Sequence, residues 1–187
     1  MKKLDFILIG VIAGLTAVLD YIGVIGLPTG VFSISTLYIG GAFYTLFGLW
    51  FRKDAYIGMY LGLLLGAVIS GTFTPYAFLL AWGNVLGVLV VVAGFKYIKA
   101  LDYRLVKYYD YIAFVLLVFL GQIVSSNYTI RGLNFFGLIP DVAVVPSITS
   151  WIIGGMIVNI VIAIPLLKIL TPIVESKILK KYDVDKK

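Results

Sequence analysis

The 187-residue chain is 61% hydrophobic and only 13% charged, and its net charge of +6 comes from 15 Lys and Arg against 9 Asp and Glu. Soluble domains carry about 45–50% apolar and about 25% charged residues, so an ordinary water-soluble fold is excluded. With neither Cys nor His in the chain, disulfides, thiolate nucleophiles, the usual zinc and haem ligands and imidazole acid–base catalysis are excluded too.

A membrane span takes about 20 residues to cross about 30 Å of hydrocarbon. Apolar runs bounded by charges or breakers predict six of them: 4–27, 31–51, 55–71, 76–98, 111–126 and 147–173. The first is no signal peptide, because it lacks a small-residue cleavage site and leads into further spans. Pro28-Thr29-Gly30, Arg52-Lys53-Asp54 and Thr72-Phe73-Thr74-Pro75 punctuate the first four runs. The 127–146 connection is long, and a connection of about 20 residues is a lid, a binding loop or disordered. Its Leu133, Phe135, Phe136, Leu138, Ile139, Val142 and Val145 argue for a cap folded over the bundle. The expected architecture is one all-α, polytopic membrane domain over 1–187, with a short basic tail at 174–187.

The cations orient it. Lys2, Lys3, Arg52, Lys53, Lys96, Lys99, Arg104, Lys107, Lys177, Lys180, Lys181, Lys186 and Lys187 all fall on one side of this alternation. Opposite them stands only Arg131, while Lys168 lies near the inner end of the last span, where it can snorkel. The positive-inside rule then puts both termini in the cytoplasm and the chain in the cell membrane. The basic excess is topological and attracts anionic lipid headgroups. Nothing forms a basic groove with a stacking platform, so no nucleic acid is expected.

Polar and aromatic residues in the outer half predict a binding site. Asp20 near the outer end of span 1 is a functional candidate because an acid inside an apolar span is costly. Tyr76, Trp82 and Asn84 descend from the outer end of span 4. Gln122 and Asn127 lead out of span 5, Arg131 lies in the cap, and Trp151 and Asn159 line span 6. Aromatic planes with a few neutral hydrogen-bonding groups suit a small ring-containing ligand, although Trp and Tyr also form interfacial belts and Asn and Gln also join helices. The sequon at Asn127-Tyr128-Thr129 is a weak three-residue pattern. Small residues four apart allow close helix approach, and span 1 carries two such ladders, Gly10 with Gly14 and Ala13 with Ala17. Gly58, Gly62 and Gly66 form a third ladder in span 3, and in span 6 Gly155 and Ala163 flank Asn159. Such ladders serve internal packing or docking of another membrane protein.

Six spans with both ends inside, the Ala13-Gly-Leu-Thr-Ala17 stripe, a long outer loop and the closing run Trp151-Ile-Ile-Gly-Gly-Met-Ile-Val-Asn159-Ile-Val-Ile-Ala-Ile-Pro165 together resemble the substrate-binding S component of energy-coupling factor transporters. The resemblance implies a membrane receptor that captures a vitamin-like solute outside and docks on a transmembrane coupling subunit bearing two ATPase subunits. In that family an A-x-x-x-A stripe on helix 1 meets the coupling subunit, which here implies Ala13 and Ala17. It brings no cofactor and no metal site.

A second resemblance competes. Leu27-Pro28-Thr29-Gly30, the Gly58–Gly66 ladder and Trp82-Gly83-Asn84-Val85-Leu86-Gly87 are similar to membrane sensor domains that signal to a partner protein. An intramembrane enzyme is not expected, because Asp20 and tyrosines are the only candidates at membrane depth and paired carboxylates are lacking. An ion-coupled carrier is weakened by the scarcity of buried acids and by the lack of an inverted repeat.

Overall fold

The computed structural model describes residues 3–26 and 38–180, and every regular element among them is helical. The elements are α1 (Lys3–Gly26), α2 (Gly40–Phe51), α3 (Lys53–Ile69), α4 (Ala77–Leu80), α5 (Trp82–Tyr97), α6 (Tyr108–Phe135), α7 (Asp141–Val158) and α8 (Ile164–Val174). π-helical turns at Asn159–Ala163 and Glu175–Leu179 follow α7 and α8. Among the described residues, four stretches are long and apolar enough to cross a membrane: Asp5–Gly23, Ala77–Tyr97, Tyr108–Phe135 and Asp141–Leu179. The described parts of predicted spans 2 and 3 are shorter helices, and residues 31–37 of span 2 lie outside the described residues, as do the Pro28-Thr29-Gly30 break and the tail from 181 onward.

Helices in hydrocarbon gain nothing from hiding apolar surface from one another, so they associate where small residues let backbones touch. α1 and α3 form such a seam. A Cβ on Gly58 would strike Ile12 at 2.8 Å, one on Gly62 would meet the Ala13 carbonyl and Thr16, and one on Gly66 would meet Asp20. The contacts advance together by four residues on each helix, so α1 and α3 run parallel. α5 and α6 make the second seam, antiparallel, with Gly87 and Gly121 backbone to backbone and Gly94 against Leu117. The core between the seams is large and apolar, with Tyr44, Leu46, Met59, Val85, Phe114, Val118 and Leu167 fully buried. Outside, α1 turns Phe6, Ile7, Val11, Leu15, Val18 and Ile22 to the surroundings. An apolar band of that kind belongs against lipid.

One expectation is corrected. The stretch 127–146 is no cap loop: α6 continues to Phe135 and α7 begins at Asp141, which leaves a five-residue turn at 136–140. Helical spacing puts Ile130 and Leu133 in a small outer core with Ile139, backed by Leu80 and Trp151. Asn127 donates to the Ile123 carbonyl one turn back at 2.9 Å and accepts from Arg131 one turn on at 3.1 Å. Past the end of α6 the chain turns at Gly137, whose φ of +71° suits a residue without a Cβ.

The last stretch, residues 141–179, would extend about 58 Å at 1.5 Å per residue, nearly twice the hydrocarbon thickness. It carries Pro146, Pro165 and Pro172. The first π-turn ends just before Pro165, whose ring cannot take the ordinary α spacing against the carbonyl four residues back. At the basic end, the 98–107 loop is fastened to this helix. Tyr103 donates to Glu175 at 2.6 Å, Arg104 pairs with the same carboxylate at 2.9 Å, and Lys168 donates to the Leu105 carbonyl at 2.9 Å. Asp110, fully buried, accepts the backbone N–H groups of Asp102 and Lys107. The Lys168 expectation is thus refined: the ammonium finds a backbone carbonyl.

Two predictions follow from the seams and the fastening. Gly121→Leu drives a side chain into the Gly87 backbone and should cost about 1–3 kcal/mol, read as a lower melting temperature in detergent, whereas Gly10→Ala, inside α1 with a Cβ that meets nothing within 4 Å, should keep it or raise it by up to about 1 kcal/mol of added stability. Burial, together with the hydrogen bond to Glu175, pushes the Tyr103 phenol up to about 12. Its raised folded-state value means that its stabilising share is complete below the unfolded value near pH 10 and is lost as pH rises toward 12. Stability measured between pH 9 and 12 should therefore fall in that window, and Tyr103→Phe should flatten the fall.

Candidate binding cavity

At the end of the bundle away from the basic loops, α1, α3, α5, α6 and α7 surround a cavity of about 120 Å³. Its polar wall comprises Asp20, Tyr38, Thr72, Thr74, Asn84, Gln122 and Thr129, and Trp151 supplies an aromatic face. Leu63, Ala67, Ala77, Leu80, Ala81 and Leu133 complete an apolar lining. Below it, a void of about 20 Å³ shares Gly41, Asn84 and Gln122 with the main cavity and adds Tyr44, Thr45 and Ser125. That smaller volume is the size of one water.

Glycines set the depth of the polar groups. A Cβ on Gly66 would meet the Asp20 carboxylate, one on Gly83 the Thr129 hydroxyl, and one on Gly155 the Gln122 amide. Tyr38 lies against Gly23 and Gly40 in the same way. Each hydrogen-bonding group is therefore seated over a gap in the neighbouring helix. Tyr38 donates to Asp20 Oδ1 at 2.6 Å and is hydrogen-bonded to the Tyr44 hydroxyl, so one carboxylate and two phenols form a chain leading from the cavity into the core.

Much of the remaining polar lining is unsatisfied. The hydroxyls of Thr129, beside the cavity, and Ser125, beside the smaller void, are buried and have no partner among the described residues, as is also true of Thr16 in the α1–α3 seam. Asn84, Gln122 and Trp151 make no side-chain hydrogen bond among the described residues. An orphaned buried hydroxyl costs about 1–3 kcal/mol, and two of them beside free amides are a poor way to build a core. They are a good way to receive a ligand's polar edge.

Of the residues singled out from sequence, Asp20, Asn84, Gln122 and Trp151 converge on the cavity. The other five do not line it. Tyr76 stacks on Phe136 with ring centroids 4.0 Å apart, joining the 70–76 turn to the 136–140 turn. Trp82 faces outward against Tyr60, at 4.9 Å. Asn127 is taken up by its own helix and by Arg131, which is exposed. Asn159 is fully buried, where it accepts from Thr45 at 2.8 Å and donates to the Gly155 carbonyl at 2.9 Å, so it joins α2 to the last helix instead of touching the cavity. The helix-1 stripe divides: Ala13 and Ala17 are buried in the seam with α3, and Gly10 and Gly14 are exposed.

The sequence reading missed Tyr38, Thr72, Thr74 and Thr129. One signal existed for Thr129, because Gln122, Ser125 and Thr129 recur at the i, i+3, i+7 spacing of a single helix face. The short helix α4 is shaped by two tyrosines. Tyr60 donates to the Phe78 carbonyl at 2.9 Å and Tyr128 to the Leu79 carbonyl at 3.2 Å, where the chain breaks at Ala81 before α5 resumes. That break turns Ala77, Leu80 and Ala81 toward the cavity.

Thr129→Val keeps the shape and removes the unpaired hydroxyl. The unliganded protein should melt at the same temperature or higher, by up to about 1–3 kcal/mol of added stability, measured by thermal denaturation in detergent; a loss of stability would mean that the hydroxyl is satisfied and structural. No family model, curated protein or solved structure matches this chain.

Proposed function

We propose that the chain is the membrane-embedded, substrate-binding subunit of an importer of the energy-coupling factor type. It crosses the cell membrane six times, keeps both termini in the cytoplasm, captures a small ring-containing, vitamin-like solute from outside and docks on a transmembrane coupling subunit with ATPase partners. The cavity carries this reading: a ring-sized space between helices, lined by free amides and an unpaired hydroxyl, at the end away from the basic loops. An apolar cavity of about 150 Å³ holds a benzene, so the volume of about 120 Å³ here suits a single small ring.

The parallel run of α1 and α3 supports the six-span topology. A chain that leaves α1 at one end and enters α3 at the other must cross back in between, and α2, which runs into α3 through Arg52, lies on that return. Gly10 and Gly14, bare on the lipid-facing side of α1, offer the smooth surface that a coupling helix needs. Ala13 and Ala17 lie one stripe away, inside the seam.

A panel of vitamins tested by thermal shift on the purified protein should contain at least one binder. At 100 times its dissociation constant a ligand adds about 2.7 kcal/mol. Gln122→Leu and Asn84→Leu should weaken that ligand, while Gly10→Leu with Gly14→Leu should leave binding intact and abolish uptake in cells that supply the coupling and ATPase subunits. No stabilisation by any vitamin, and no co-purifying coupling subunit, would overturn the proposal.

A further inference from the structure

The geometry points to a ligand that carries a positive charge on or beside its ring (an amidinium, a protonated amine or a ring-nitrogen cation) held against Asp20. This rests on the binding-site reading above and names the class of solute that the site accepts.

Charge bookkeeping within the cavity carries the inference. Asp20 is the one ionisable acid in the wall, and no Lys or Arg lines it among the described residues. Residues 27–37, which precede the lining residue Tyr38, contain no charged residue at all. Arg131, the sole cation in the segments at this end, is exposed and bonded to Asn127. The partners that Asp20 does have are neutral: Oδ1 accepts from the Tyr38 phenol at 2.6 Å, and the carboxylate rests against the bare backbone of Gly66.

An acid in an apolar span takes up a proton, is paired or finds a cation, because uncompensated charge is expensive away from water. Phenols can hydrogen-bond it but cannot balance it. An anionic ligand would bring a like charge within a few ångströms of Asp20 and find no cation elsewhere in the wall. A cationic ring completes the set: its charge meets Asp20, its plane meets Trp151, and its polar edge meets Thr129, Asn84 and Gln122.

Benzamidine, benzamide and benzoate share a ring and a planar three-atom substituent and differ in charge, so they serve as probes. Binding is measured by calorimetry and thermal shift on the full chain in detergent or nanodiscs. Benzamidine should bind at least about tenfold more tightly than benzamide, with benzoate weakest. Asp20→Asn should remove that advantage and leave benzamide within about twofold of its wild-type affinity. If Asp20→Asn does not fold, the ranking of the three probes on the wild type decides alone. Benzamide or benzoate binding as tightly as benzamidine overturns the inference, as does a benzamidine affinity indifferent to Asp20→Asn. Binding of none of the three, with a neutral vitamin stabilising the protein, overturns the cationic class and leaves the importer reading standing; stabilisation by no compound at all removes both.

Discussion

The bundle depends on backbone-to-backbone contact at glycine. Side chains in lipid are not driven together by water, so helix pairs must gain from packing alone. Gly58, Gly62 and Gly66 provide it against α1, and Gly87 with Gly121 provides it between α5 and α6. The same device recurs around the cavity, where Gly66, Gly83 and Gly155 each make room for a polar side chain of the neighbouring helix. Stability and site construction draw on one property, the missing Cβ. A change at Gly66 therefore acts on the α1–α3 seam and on the position of Asp20 together.

Polar groups inside the bundle fall into two kinds. Some are fully used. Asn159 and Thr45 join two helices, Trp50 donates to Thr171 at 3.0 Å, and Asp110 holds two backbone N–H groups. Others, Thr129 and Ser125 among them, have nothing to bond. A buried network that is satisfied rigidifies a core, and one left open is costly unless something completes it. Asn159 with Thr45 and Trp50 with Thr171 tie α2 to the last helix, whereas the unsatisfied hydroxyls are scattered: Thr129 borders the cavity, Ser125 the smaller void and Thr16 the α1–α3 seam.

The sequence was most legible where hydropathy alone decides. The apolar runs, their basic bounding turns and the helical class all follow from counting apolar residues and charges. Asp20, Asn84 and Gln122 stood out as candidates because an acid or amide is unusual in such an apolar run, and Trp151 as an aromatic near the start of one; all four line the cavity. Asn159 looked the same by that test, and only packing distinguishes it, since its partner Thr45 lies 114 residues away. Tyr38 was invisible because an aromatic in an apolar run carries no signal of its own. Polar residues interrupt the apolar run in the 127–146 stretch but do not end the helix, which satisfies its own backbone whatever surrounds it. Its continuing 3.6-residue period, with Ile130 and Leu133 turned inward, was the better guide.

The two ends of the molecule are fastened by different chemistry. At the basic end, the 98–107 loop is held to the last helix by a salt bridge and by hydrogen bonds from Tyr103 and Lys168. At the cavity end, the 70–76 and 136–140 turns meet through the face-to-face rings of Tyr76 and Phe136. A ring pair is worth about 0.5–1.5 kcal/mol beyond its buried area, and parting it strands no charge and leaves no donor without an acceptor. The cavity end is held by that ring pair and by neutral hydrogen bonds from Tyr60 and Tyr128 to the α4 carbonyls, so opening it parts no ion pair, whereas opening the basic end does.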